Sequence, residues 1–201
     1  MAKPDAMLRG RSGRVANAVL VALTALAMLL VILLVIRTVE AERSQRAQAQ
    51  TTGAVLDELR DIGRSALNAE TGQRGYLLSL DRRYLAPYFA GRDQIEPSLR
   101  RLHALLAPRA DRRQLELLGR VQRLSRARFA ELERSVALGG RGELIEARRL
   151  VLTDEGQAAM ERLRLALRDL ERIELAILAA AIEEAERAES RVMPLLGGLL
   201  A

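Results

Sequence analysis

One apolar stretch constrains the fold of this chain more than any other feature of its sequence. Residues 15–36 carry no charge and include only Asn17 and Thr24 as polar side chains. At 1.5 Å per residue, a helix of this length crosses the roughly 30 Å hydrocarbon core of a bilayer. A cleaved signal peptide has a shorter apolar region of about 7–15 residues, followed by a cleavage site between small residues. Residues 37–42 offer no convincing site of that kind, so we predict a retained transmembrane helix at 15–36.

Charged residues around this helix predict its orientation. Four basic residues against one acid make residues 1–14 a basic tail, whereas the three arginines that follow the helix closely alternate with Glu40 and Glu42. The excess of positive charge on cytoplasmic segments predicts that the tail is cytoplasmic and that residues 38–191 lie outside the cytoplasm. Residues 192–201 are ten apolar residues after the charged run 183–191 and predict the start of a truncated second transmembrane helix. The alternative is a short tail that docks on the domain or on the bilayer surface.

The composition removes most enzyme chemistry. The chain has no cysteine and no tryptophan, which excludes disulfides, cysteine-ligated zinc and a thiol nucleophile. Its single histidine, His103, is expected to be an exposed or hydrogen-bonded helix residue rather than a pH switch. A carboxylate cluster at Glu183, Glu184 and Glu186 has no histidine beside it and predicts a solvated face rather than a metal site. We therefore expect no enzymatic activity, no metal and no cofactor.

Charge and composition also bear on partners and fold class. The net charge of +6 is concentrated near the apolar stretch, and three tyrosines and two phenylalanines leave little for base stacking, so we expect no nucleic-acid partner. Hydrophobic residues make up 49% of the chain but aromatic residues only 2%. Because the strong helix formers Ala, Leu, Arg and Glu predominate, the composition predicts an all-α protein.

Residue spacing predicts the helices. From Thr52 to Leu80, seam residues alternate at spacings of three and four, the pattern of a coiled coil or helical bundle. We predict helices over 38–78, 82–106, 111–138, 143–152 and 153–191, with Asp81 and Asp111 as N-caps and a flexible turn at 139–142. The first and last have similar lengths, which favours a long up-down-up-down four-helix bundle. The third helix is expected to face inward through Leu117, Val121, Leu124, Phe129, Leu132 and Val136.

Polar and aromatic residues crowd the first predicted turn. The first interpretation is packing at one end of the bundle. The second is a sensing or ligand pocket, because Gln73 lies on the seam, where a buried amide needs partners. A third interpretation gives Gln73 and Glu174, the polar residue on the last seam, a role in selecting which helices or protomers pair. The candidate residues are Glu70, Gln73, Arg74, Tyr76, Asp81, Tyr84, Tyr88 and Glu174.

Two blocks of sequence carry a family resemblance. ETGQRGYLLSLDRRYLAPY begins at Glu70, and TDEGQAAMERLRLALRDLERIELAIL begins at Thr153. Together they resemble the third class of CHASE domains, extracellular sensory domains associated with cyclases and histidine kinases. The resemblance implies a helical periplasmic or extracellular sensor over residues 38–191, framed by two membrane helices in the bacterial inner membrane, and a homodimer. Where the family has Thr-Gly-Asp, this chain has Ser79-Leu80-Asp81 and lacks the glycine.

The resemblance and the predicted bundle together indicate a function. We expect the sensory input region of a bacterial transmembrane receptor of the histidine kinase, diguanylate cyclase or chemoreceptor type. Its partners are the membrane, an unknown small-molecule or protein ligand and a cytoplasmic output module, and helix displacement in the dimer passes the signal. The alternative is a complete membrane-tethered scaffold that binds envelope partners and has no output domain.

Overall fold

The computed structural model describes the backbone of residues 6–152 and 154–199, and the side chains of residues 17–151, 156–187 and Ser190. Within this part the chain is helical, as predicted from its composition. The first five residues of the basic tail, Thr153 at the start of the last predicted helix, and the last two residues of the 192–201 segment lie outside the described residues. The chain divides into two compact units, Met1–Ala47 and Gln48–Ala201, and helix α1 (Ala6–Ser79) contributes to both.

The first unit contains the apolar stretch. Beginning at Asn17, α1 includes an 18-residue window with a mean hydropathy of 3.3, of which 0% is buried inside the protein. Its leucine, valine and isoleucine side chains are exposed, except for the partly buried Leu34. This part of the helix is apolar all round, and it is long and apolar enough to cross a membrane.

The second unit is a helical bundle. Its described part consists of the end of α1, α2 (Ala86–Leu106), α3 (Arg112–Gly140), α4 (Leu144–Leu152) and α5 (Asp154–Leu199). A 3₁₀ turn at Arg82–Leu85 joins α1 to α2, where the sequence predicted an α-helix from residue 82. Short connections link α1, α2 and α3, and the segment with α4 links α3 to α5, which gives the four long helices the predicted up-down-up-down order.

Two predicted helix ends are wrong. α3 continues through Gly139 and Gly140. A Cβ atom at Gly139 would lie 2.6 Å from Leu77 Cδ2, so the missing side chain lets this last turn of α3 pass close to α1. The turn begins after Gly140, and within it Gly142 adopts the left-handed conformation with φ of 84°. α5 continues beyond residue 191 to Leu199, in spite of the proline at position 194.

The bundle core follows the predicted seam on α1 and half of the predicted face of α3, where Val121, Phe129 and Leu132 are buried. Most α1 seam residues are buried, whereas Leu80 lies in the turn and is 48% exposed. On α3, Leu117, Leu124 and Val136 are only partly buried, because the predicted face counted apolar residues alone. The buried α3 residues at alternating spacings of four and three are Gln114, Leu118, Val121, Ser125, Arg128, Leu132, Ser135 and Gly139.

Candidate functional site

A chain of four charges, of which only Arg74 is exposed, connects α1 to α3. Arg128 is 4% exposed, and its guanidinium contacts Glu70 at 3.1 Å and Glu131 at 3.0 Å. Glu70 also contacts Arg74 at 2.8 Å. We call these four residues the tip cluster. Because it contains two carboxylates and two guanidinium groups, the cluster balances its own charge, which the burial of ions requires.

The tip cluster also limits how α5 begins. A Cβ atom at Gly156 would lie 2.7 Å from Glu131 Oε1 and 3.2 Å from Arg128 Nη1, so a side chain here would require the Glu131 carboxylate to move. Arg128 Nε has no hydrogen-bond partner among the described residues. The cluster therefore brings together three of the four long helices.

Gln73 lies one helical turn further along α1 and is buried with Ser135 of α3. Gln73 Nε2 donates a hydrogen bond to Ser135 Oγ, which donates in turn to Leu132 O at 2.8 Å. Gln73 Oε1 has no partner among the described residues. Sliding of α1 along α3 would break the bond between Gln73 and Ser135 and leave further buried polar atoms unpaired. The bond therefore disfavours such sliding.

Glycines allow the tyrosines to pack against α1. A Cβ atom at Gly72 would lie 2.6 Å from the backbone nitrogen of Tyr88, and one at Gly75 would lie 2.9 Å from Tyr84 Cδ1. Tyr88 is 2% exposed, and burial, reinforced by the charge of Glu133, raises the pKa of its hydroxyl. Tyr84 remains 55% exposed. Gly72 and Gly75 thus allow the residues that follow α1 to approach it closely.

The turn at the end of α1 forms without a glycine. Leu80 adopts φ of 59°, and its N–H donates to Tyr76 O at 2.7 Å, so a leucine stands in the left-handed conformation that glycine favours. Asp81 caps the following turn, as predicted, by accepting from the Arg83 N–H at 2.9 Å. Its side-chain bond from Arg83, followed by this backbone bond, lowers the pKa of the Asp81 carboxyl.

A second buried polar network lies at the opposite end of the bundle. Glu174 of α5 is 0% exposed; its Oε2 accepts from Arg109 Nη2 and its Oε1 accepts from Gln114 Nε2 at 2.6 Å. Gln114 belongs to the capping box of α3, in which its Oε1 accepts from the Asp111 N–H at 2.9 Å. We call Arg109, Asp111, Gln114 and Glu174 the loop cluster. It fixes α5 against the connection between α2 and α3.

The structure groups the predicted site residues into three sets. Glu70 and Arg74 belong to the tip cluster, Gln73 pairs beside it, and the three tyrosines and Asp81 surround the adjoining turn. Glu174 lies apart with its own partners. Sequence reasoning missed the partners on α3 and the α2–α3 connection, although the alternating spacing on α3 would reveal Arg128 and Ser135 once polar residues are allowed on the seam.

A metal-binding cluster is absent from the described residues. Among them, no group of three or more His, Asp or Glu side chains is placed to hold a metal ion. Glu183 pairs with Arg187 at 2.7 Å on the exposed side of α5, which fits the solvated face that its sequence context predicted. His103 is exposed on α2.

Comparison with known proteins identifies the family. The CHASE3 domain matches residues 37–184. The crystal structure of the Rhodopseudomonas palustris histidine kinase HK9 sensor domain is similar, with 30% sequence identity and a TM-score of 0.57, over 63% of this chain and 97% of that chain. No curated protein sequence matched. This chain therefore belongs to the CHASE3 domain family and is the sensory input region of a receptor.

Proposed function

We propose that this chain passes an external signal across the bacterial inner membrane as a homodimer, by displacing α5 relative to the rest of the bundle. The observation that carries the proposal is the loop cluster. A fully buried carboxylate on α5 takes one hydrogen bond from each of two residues beside the α2–α3 connection. Any movement of α5 that separates these atoms must pair them again elsewhere or expose them to water.

Chain order supports the choice of α5. α1 contains the apolar segment 15–36, and the backbone of α5 continues as a helix into the apolar residues 192–199. We propose residues 1–14 as a cytoplasmic tail, 15–36 and the segment from 192 as membrane helices, and 38–191 as the periplasmic or extracellular sensor. These assignments make α1 and α5 the two helices by which the sensor communicates with the membrane.

Discrete contacts make such a displacement suitable for signalling. A buried charge is stable only in paired arrangements, so a network such as the loop cluster favours separate states over a continuous slide. A ligand acts on this equilibrium only by binding one arrangement more tightly than the other. We propose a histidine kinase as the first candidate output, since the similar HK9 domain is the sensor of a histidine kinase.

The size of the native product separates this proposal from the scaffold alternative. We expect antibody detection in membranes of the source organism to show a product much larger than 22.2 kDa, because an output module must follow the sensor. A native product of 22.2 kDa would contradict the output and favour a membrane-tethered bundle that binds envelope partners.

A matched pair of substitutions tests the mechanism in the full receptor. Glu174→Gln keeps the shape of the side chain but removes the charge that holds both donors, so we expect basal output to change roughly fivefold or more, the scale of a typical coupling energy. Glu161→Gln is the control on the same helix, because Glu161 is 51% exposed and pairs with Arg168 at the surface. Equal output from the two variants in isolated membranes would refute displacement through the loop cluster.

A further inference from the structure

A groove between the end of α1 and α4 has the properties of a ligand site. Its volume is about 370 Å³, within the usual range of roughly 300–1,000 Å³ for small-molecule pockets. Leu77, Leu78 and Val151 give it an apolar lining, and the cationic residues Arg74 and Arg148 complete that lining. The combination of apolar lining and two donors of one charge is typical of a site for an amphiphile.

The charges around the groove do not cancel. The positive charge of Arg74 is balanced within the tip cluster through Glu70. Arg149, next in the chain to Arg148, pairs with Glu146 at 3.3 Å. Among the residues whose side chains are described, no carboxylate pairs with Arg148. The groove therefore carries one uncompensated positive charge, together with the N–H groups of Arg74 that Glu70 leaves free.

We propose that this groove binds a monoanionic amphiphile, with a carboxylate or similar head between Arg74 and Arg148 and a short apolar chain over Leu77, Leu78 and Val151. Charge-assisted hydrogen bonds hold the head, and removal of apolar surface from water stabilises the chain. A cation is repelled, and an uncharged apolar molecule leaves Arg148 unpaired. Leu78 is 78% exposed at present, so the chain of the ligand would cover a large apolar side chain.

The inference deepens the proposed function and rests on it for its role as stimulus. The groove includes residues of α1 and α4, and α4 directly precedes α5 in the chain. An amphiphile that holds α4 against α1 therefore acts on the segment that leads into α5. Binding itself, however, is measured without any output.

Hydrogen exchange in the full chain, embedded in lipid nanodiscs, measures binding locally. Decanoate is the probe, with acetate as the head alone and decyltrimethylammonium as the same chain with the opposite charge. We expect decanoate to slow amide exchange in 74–79 and 144–152, with no effect on 112–125. Acetate and the cation are expected to give no protection in either segment.

Two arginine variants test the role of the uncompensated charge. Arg148→Gln is expected to raise the half-saturating decanoate concentration roughly tenfold or more, the usual effect of losing a charge-assisted hydrogen bond. Arg149→Gln is the control, since Arg149 is exposed and does not line the groove. Equal loss in both variants, equal protection by the cation, or protection by phosphatidylglycerol vesicles but not by decanoate would overturn the proposal.

Failure of the groove and failure of the proposed function are distinguishable. If Glu174→Gln changes the output but decanoate gives no protection, the proposal for the groove fails and the proposed sensory mechanism stands. Decanoate protection that depends on Arg148 but leaves output unchanged establishes the site and removes its role as a stimulus.

Discussion

The tip cluster and the loop cluster bury carboxylates in different ways. In the tip cluster, the side chains of Glu70 and Glu131 are 12% and 15% exposed and share Arg128, and all three residues lie within long helices. In the loop cluster, Glu174 is 0% exposed, and its partners flank the connection between α2 and α3. The first network is therefore held by helix packing, whereas the second depends on the conformation of a connection.

This difference indicates which network is suited to change. Gln114 bonds both the Asp111 backbone and Glu174, so the cap of α3 and the bond to α5 are lost together if Gln114 moves. Arg109 is 28% exposed and has water as an alternative partner. Arg128 is 4% exposed and has no such alternative close by. Burial alone therefore does not distinguish a structural network from a switchable one. The distinction depends on whether each residue has an alternative hydrogen-bond partner, such as water.

Loss of Arg128 should have the largest effect on stability. Arg128→Met leaves the Glu70 and Glu131 carboxylates partly buried beside an uncharged side chain, and breaking a buried ion pair in this way costs about 3–5 kcal/mol. We expect a loss of that size in the free energy of unfolding, measured by denaturant titration of the full chain in detergent with circular dichroism. Arg126→Met is the control, because Arg126 is 58% exposed and its pair with Glu96 is worth less than about 1 kcal/mol. Similar losses in both variants would contradict a structural role for the tip cluster.

Glu174→Gln should cost less than Arg128→Met. The amide still accepts from one donor, and Arg109 turns to water, so we expect a loss of about 2 kcal/mol in the same unfolding measurement, the range for hydrogen bonds to charged groups. Glu161→Gln should leave the free energy of unfolding nearly unchanged, because Glu161 is exposed. If Glu174→Gln were the more damaging of the two buried-charge variants, the loop cluster would be the rigid network and our comparison would be reversed.

The two regions also differ in how far sequence predicts them. The alternating seam on α1 placed Gln73 in the core, and Asp81 and Asp111 were identified as caps, because these signals are local and repeat along one helix. The CHASE3 resemblance identified the family from two blocks of residues. Local patterns therefore sufficed for the fold class and for single members of each network.

The partners across the bundle were not predictable in the same way. Arg128 joins Glu70 from a position 58 residues later, and Arg109 reaches Glu174 across 65 residues, so neither pair leaves a signal within one helix. An arginine on a seam also contradicts the apolar pattern used to choose the inward face of α3. Charge partners were missed because the geometry of packed helices, rather than spacing within one helix, brings them together.

Close packing of the backbone is a further property of the tip region. Gly72→Ala would place a Cβ atom 2.6 Å from the Tyr88 backbone nitrogen and 3.0 Å from Tyr84 O, and neither atom lies on a flexible side chain. We expect a loss of about 1–2 kcal/mol in the free energy of unfolding from this overpacking. Gly53→Ala is the matched control: nothing lies within 4 Å of its Cβ position, so it should gain about 0.5–1 kcal/mol from helix propensity. A gain in both variants would show that α1 and the turn separate easily and that the tip is not rigid.

The smallest expected effect is a gain in stability at the turn after α1. Leu80 holds φ of 59°, a conformation that costs a residue with a Cβ atom roughly 1–2 kcal/mol relative to glycine. Part of this gain is lost because glycine is more flexible when unfolded, so Leu80→Gly should raise the free energy of unfolding by about 0.5–1 kcal/mol. Leu78→Gly, in the last turn of α1, should instead lower it by about 0.8 kcal/mol, since glycine is a poor helix former. If Leu80→Gly gave no gain, contacts of the leucine side chain would offset the strain, and the tip would be held by that side chain as well as by its charges and glycines.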